Sequence, residues 1–121
     1  MAYMLLMIEE PGERLRPPEA ERRERYERMV RFAGELQSRG QLKTADALAL
    51  PDREGVRIRK RGQNHAMVDG PFAEAKEIVG GFFYLDVETR EEAVAIANQC
   101  PATEWSTVEV RRVAPCFEET Q

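Results

Sequence analysis

Val68-Asp69-Gly70-Pro71-Phe72-Ala73-Glu74-Ala75-Lys76-Glu77 runs directly into Ile78-Val79-Gly80-Gly81-Phe82-Phe83-Tyr84-Leu85, a polar turn followed by a strand that is apolar at both parities. In the turn, Gly70 accepts backbone angles that a Cβ would penalise, Pro71 fixes φ and biases Gly70 away from helix, and Phe72 can anchor the loop into a core. A strand apolar on both faces must be covered on both sides. That requirement places it in the interior of a sheet between two layers. The opening stretch Tyr3 to Ile8 has the same character and is also read as a central strand.

Working outward, Pro17-Pro18 followed by Glu19 and Glu21 is a helix start, and Tyr26, Met29, Val30, Ala33 and Leu36 recur at helical spacing until Gly40 stops the run. The outer face of this helix, with Arg22, Arg23, Glu24, Glu27, Arg28 and Arg31, reads as solvated ion pairs. From Gln41 to Leu50 the pattern weakens, as in a strand drifting into a loop before Pro51. Val56 to Arg59 and His65 to Val68 alternate like a hairpin across Lys60-Arg61-Gly62-Gln63-Asn64. The apolar strand runs from Ile78 to Val87. Thr89-Arg90-Glu91-Glu92 is a capping box opening a helix with Ala93, Ile96, Ala97 and Cys100 inside, and Thr107 to Val113 closes the domain as a strand. The order strand, helix, strand, hairpin, strand, helix, strand is an α+β pattern, ferredoxin-like βαββαβ with an inserted hairpin. It predicts a single domain over residues 1–115 and a tail over 116–121. Helices cover one sheet face, and a second copy of the chain is the expected cover for the other.

The composition narrows the function classes. A chain of 121 residues, 42% of them apolar, suits one domain with an adequate core. Its formal charge of -4 argues against a dedicated nucleic-acid binder. No apolar run reaches the length of a membrane span, and the start lacks a basic leader, so the expected location is the cytoplasm. Cys100 and Cys116, with a single histidine, supply too few ligands for a metal site, and no phosphate-binding glycine loop follows a strand, so no metal or other cofactor is expected.

Asp69 is the candidate for chemistry. A carboxylate at a strand end beside Phe72 can serve as general base or hydrogen-bond acceptor, although Asp before Gly commonly caps its own turn. His65 shares strand parity with Asp69, but four residues of extended chain hold their Cα atoms roughly 13 Å apart, too far for a dyad within one subunit. Glu74, Lys76 and Glu77 can ring a pocket mouth, Lys76 holding an anion as a point charge, or form a solvated turn. Tyr3, Tyr84 and Trp105 can line an apolar cavity or be simple core. Arg57, Arg59 and Arg61 make a short basic stripe on one hairpin face, able to meet a phosphate or an acidic protein.

Asp69-Gly70-Pro71-Phe72, the following Glu74, Lys76 and Glu77, Gly80-Gly81-Phe82 and Val108-Glu109-Val110-Arg111 resemble the DGPF subgroup of the YCII-related family, and the early Met4-Leu5-Leu6-Met7 and the helix ending at Gly40 fit it too. The resemblance implies a dimeric α+β barrel of ferredoxin-like subunits. Members of the wider family carry a histidine early in the first helix and an aspartate just before the proline that precedes the last strand. Some of them catalyse lactone isomerisation or dehalogenation. Here, by spacing from Gly40, the helix position falls near Met29, and the residue before Pro101 is Cys100. The resemblance also implies, for some members, association with sigma factors of RNA polymerase. Three expectations follow: a homodimer binding a small molecule in a cleft near the Asp-Gly-Pro-Phe turn; a cofactor-independent isomerase, lyase or dehalogenase in which Asp69 moves a proton; or a non-catalytic module meeting a sigma factor through its basic hairpin or helix face.

Overall fold

Two stretches of chain with no polar parity pair with each other in the computed structural model, which describes residues 2–70 and 76–118. The elements in chain order are β1 (Tyr3–Glu9), α1 (Glu19–Ser38), β2 (Leu42–Ala47), α2 (Pro51–Glu54), β3 (Val56–Arg61), β4 (Asn64–Asp69), β5 (Ile78–Leu85), α3 (Arg90–Gln99), a 3-10 turn (Pro101–Glu104) and β6 (Thr107–Arg112). β1 and β5 are the two central strands of an antiparallel sheet ordered β2-β5-β1-β6, while β3 and β4 pair separately as a hairpin between β2 and β5. This is the ferredoxin-like arrangement with the inserted hairpin.

The register separates the two faces of the sheet. Ala45, Phe83, Leu5 and Val110 lie opposite one another across all four strands, and this row faces the helices. Leu5 and Leu85 are fully buried there and Leu36 of α1 almost so, each contributing about 1.5–3 kcal/mol through removal from water. Phe32 meets Phe83 edge-on with ring centroids 5.5 Å apart. Ala93, Ile96, Ala97 and Cys100 fill the same core from the α3 side, as the capping-box reading expects. On the opposite face the rows run Thr44, Tyr84, Met4, Arg111 and Asp46, Phe82, Leu6, Glu109. The centre of that face is apolar and half-buried, and its margins are polar.

The helix ends follow from their residues. Thr89 accepts a hydrogen bond from the Glu92 backbone N–H at 3.1 Å, the first half of the capping box. α1 closes with Gly40 at φ 72°, where Gly40 N–H donates to Gln37 and Gln41 N–H donates to Leu36, the paired bonds of a Schellman cap. The hairpin turn is tighter than the five residues read from sequence. Arg61 pairs with Asn64, leaving Gly62 at φ 61° and Gln63 as a two-residue loop. Residues 42–47 are an edge strand with one neighbour, so only Leu42 and Ala45 need be apolar, which is why the pattern there is weak. The one-turn helix α2 starts on Pro51, where the sequence suggests only a loop.

The stripe expected on the inner face of α1 divides. Leu36 enters the core and Met29 and Ala33 pack against it, together with Phe32, whereas Tyr26 is 61% and Val30 51% exposed. Those two side chains stand over open space.

Candidate functional site

The space beneath Tyr26 and Val30 is a cleft of about 390 Å³ between α1 and the helix-facing side of the sheet. Its depth is apolar: Met7, Met29, Ala33, Ala45 and Phe83 line it, with Leu15 of the β1–α1 connection on the outer wall. Leu15 is 56% exposed, so three large apolar side chains border this opening with their surfaces unsatisfied. A concave, mostly apolar space with a few polar groups at its margin is what small-molecule sites look like.

One end of the cleft is held by Arg14. Its Nε lies 3.0 Å from Glu9 Oε1, an ion pair outside the alignment of a good hydrogen bond, and its two terminal nitrogens donate to the carbonyls of Leu48 at 2.7 Å and Gly80 at 3.2 Å. One side chain thereby ties the loop after β1 to the ends of β2 and β5. Gly80 makes this possible. It is the extra residue at a bulge where Met7 pairs with Gly81 and Ile8 with Val79, and a Cβ on it would lie 2.7 Å from Arg14 Nη2 and closer still to the Glu9 carboxylate.

The helix end carries Arg22 and Arg25. Arg22 Nε donates to the Pro17 carbonyl at 3.0 Å. Arg25 reaches Glu21 at 3.3 Å, and its guanidinium carbon sits 4.9 Å from the centre of the Trp105 ring. Arg28 approaches the same ring at 5.4 Å and grips both carboxylate oxygens of Glu104. The hydrogen bonds from Arg28 hold the Glu104 carboxyl below the usual carboxylate range. The two cations together fix Trp105 at the cleft's edge.

At the base of α1, Met29 Sδ and Cys100 Sγ are 4.0 Å apart. Met29 lies near the helix position at which the resemblance implies a histidine, and Cys100 precedes Pro101 where it implies an aspartate, so around that place the structure sets a thioether beside a thiol. Burial pushes the Cys100 thiol up, only partly offset by a backbone hydrogen bond at Ala102, so it stays protonated at neutral pH. Neither group can shuttle protons as an imidazole and a carboxylate would.

The residues singled out in the sequence lie in several places. Asp69 ends β4 opposite Val56, and His65 sits opposite Lys60; both are exposed on the hairpin, share its face, and line neither the cleft nor the depression beside it. Phe72 and Glu74 lie outside the described residues. Lys76 is exposed ahead of β5 and borders a polar depression with Glu9, Glu10, Glu13 and Glu77. Tyr84 is on the helix-free face of the sheet, with the Lys43 ammonium 5.1 Å from its ring centre. Trp105 borders both the cleft and the depression. Arg14, Arg22, Arg25 and Tyr26 are cleft residues not anticipated as such. The available signal was arginine at 22 and 25 directly before apolar 26, 29, 30 and 33, a stripe broader than one sheet face can absorb. Among the described residues no three His, Cys, Asp or Glu side chains form a metal-ligating group, and no helix is long and apolar enough to cross a membrane.

No curated protein matches the chain significantly. Among solved structures the fold is similar to 5-chloro-2-hydroxyhydroquinone dehydrochlorinase (TftG) from Burkholderia phenoliruptrix AC1100, determined in complex with 2,5-dihydroxybenzoquinone. That likeness has a TM-score of 0.54 and 13% identity and covers 94% of each chain. At that identity it speaks for the fold alone. The model of the YCII-related domain matches residues 1–116. With the sheet order, the inserted hairpin and this match over nearly its whole length, the chain belongs to the YCII-related family.

Proposed function

We propose that this protein is a homodimeric small-molecule-binding member of its family, and that the ligand occupies the cleft between α1 and the sheet. The observation that carries the reading is the unsatisfied apolar wall. Leu15, Tyr26 and Val30 are large, adjacent to one 390 Å³ space and exposed, while the rest of the helix-facing side of the sheet is closed by core. A ligand covering them would remove that surface from water. The histidine and aspartate that the resemblance implies for catalysing relatives have no counterpart around Met29 and Cys100. Any reaction here would draw its acid or base from elsewhere, and the Asp69-dependent isomerase, lyase or dehalogenase reading places it on the hairpin.

The test exploits the chain's single tryptophan. Trp105 borders the cleft, so its indole N–H resonance reports occupancy during titration with a fragment library. Fragments that move it in the wild type should fail to do so in Ala33→Phe, which fills the cleft, and should bind Asp69→Asn unchanged. Fragments bound equally by Ala33→Phe but lost in Asp69→Asn would move the site to the hairpin turn.

The dimer rests on the other face of the sheet. Met4, Leu6, Ile8, Phe82 and Tyr84 are contiguous there and only half-buried within one chain, and monomers rarely leave such a patch open. Sedimentation equilibrium should return twice the chain mass at micromolar concentration, and Leu6→Lys should return the monomer.

A further inference from the structure

Resting on the reading of the cleft as the ligand site, we propose that its ligand is a small carboxylate with an apolar body, the carboxylate meeting Arg22 and Arg25. The two arginines are three residues apart on α1 and therefore on one side of it. Both are half-buried and border the cleft. Arg14, the third arginine of the rim, is spent on Glu9 and two backbone carbonyls. Arg22 has no such partner: its Nε donates to a neutral carbonyl, and among the described residues its terminal nitrogens meet no acceptor. Arg25 donates to the exposed Glu21 at 3.3 Å and lies within the field of Glu104, and its guanidinium sits against the Trp105 ring. Two half-buried guanidinium groups have between them the exposed Glu21 and the field of Glu104, which Arg28 already grips, so Arg22 keeps its terminal nitrogens for a further acceptor, and a planar forked donor is matched by a carboxylate. The cleft's carboxylate without a side-chain partner among the described residues, Glu13, comes from the β1–α1 connection. It repels an anion from that wall and leaves α1 as the end that receives it. The apolar depth against Met7, Met29 and Phe83 takes the body.

The experiment follows the Trp105 indole resonance at neutral pH and low salt with four probes: 2-naphthoate, neutral 2-naphthamide, the 2-naphthylmethylammonium cation and inorganic phosphate. The expected result is 2-naphthoate about tenfold tighter than the amide, the cation weakest, and phosphate alone without effect. The double substitution Arg22→Gln with Arg25→Gln should abolish the preference, naphthoate and amide then binding that variant equally. In the wild type, added salt should erode the same preference. An amide or cation bound as tightly as naphthoate, phosphate bound as tightly as naphthoate, or a preference that survives both the double substitution and salt would overturn the carboxylate assignment while leaving the cleft as a ligand site. Failure of all the naphthyl probes to move the resonance would overturn the cleft reading itself.

Discussion

The chain builds two antiparallel strand pairs of opposite character. β1 and β5 are buried between a helical layer and a half-covered outer face, and each has a strand neighbour on both sides. β3 and β4 pair only with each other, and of their twelve residues only Ala66 is even half-buried. Ile58 and Met67 face each other across the hairpin at 59% and 64% exposure, whereas Leu5 and Leu85 on the central strands are at zero. Alternation and turn chemistry suffice to make a strand pair, but only cover makes it a source of stability. An isolated hairpin is marginal in water, so this one is held by its attachment, including the Gly70 N–H bond to the Gly55 carbonyl at 2.8 Å.

The largest expected effect tests that contrast directly. Leu5→Ala or Leu85→Ala should lower unfolding free energy by about 2–5 kcal/mol in denaturant titrations, because each leaves a cavity in closed core. Ile58→Ala and Met67→Ala should stay within about 0.5 kcal/mol. Equal losses at the two places would mean that the hairpin is covered in solution, as by a second copy.

A smaller contrast lies in the glycines. Gly80→Ala must push aside the far ends of the Glu9 and Arg14 side chains and should cost about 1–2 kcal/mol, through the contacts those two lose. Gly62→Ala meets no neighbour and carries only the strain of its positive φ, about 1 kcal/mol. A Gly80→Ala protein as stable as wild type would remove Arg14 as the tie between the strands.

The thiols extend the comparison to reactivity. Cys116 is exposed and Cys100 is buried, so under native conditions a thiol reagent should modify one site rapidly and the second only on unfolding. The raised Cys100 thiol also sets a sign. Its contribution to stability is fully present below the ordinary thiol value of 9.0 and is lost as pH rises from there through the higher folded value. Cys100→Ala should therefore flatten the alkaline limb of the pH–melting curve.

The smallest effect is expected at Glu104. Its depressed pKa contributes stability above the unfolded carboxylate range that disappears as pH falls through the folded value. Glu104→Gln should lower the melting temperature slightly at neutral pH and leave it unchanged in acid. Because Glu104 is exposed and Arg28 only half-buried, a large shift would indicate that the pair also holds Trp105 in place.

Most of the fold was legible because burial writes a period into sequence. The doubly apolar Tyr3 to Ile8 and Phe82 to Leu85, the Thr89 capping box and the Gly40 stop each follow from one local rule. The edge strand at 42–47 was faint because a single neighbour and one covered face constrain few residues. The cleft was not legible in the sequence. Tyr26 and Val30 satisfy the helical period as well as core residues do, and periodicity does not say whether the space beneath is filled. Met29 and Cys100 meet only through tertiary structure, seventy-one positions apart. Asp69 stood out because turn chemistry is local and visible, and locality carries no information about which cavity a residue reaches.

The three partners of Arg14 come from strand ends that lie thirty-four and sixty-six residues away in the chain, and from Glu9 nearby. That bond set cannot exist until β2 and β5 have docked on either side of it, so loop closure must already have been met by strand pairing before the arginine gains anything. In the folding reaction the mouth of the cleft is thus an end product rather than part of a nucleus. Disturbing it should quicken unfolding while leaving the folding rate almost untouched.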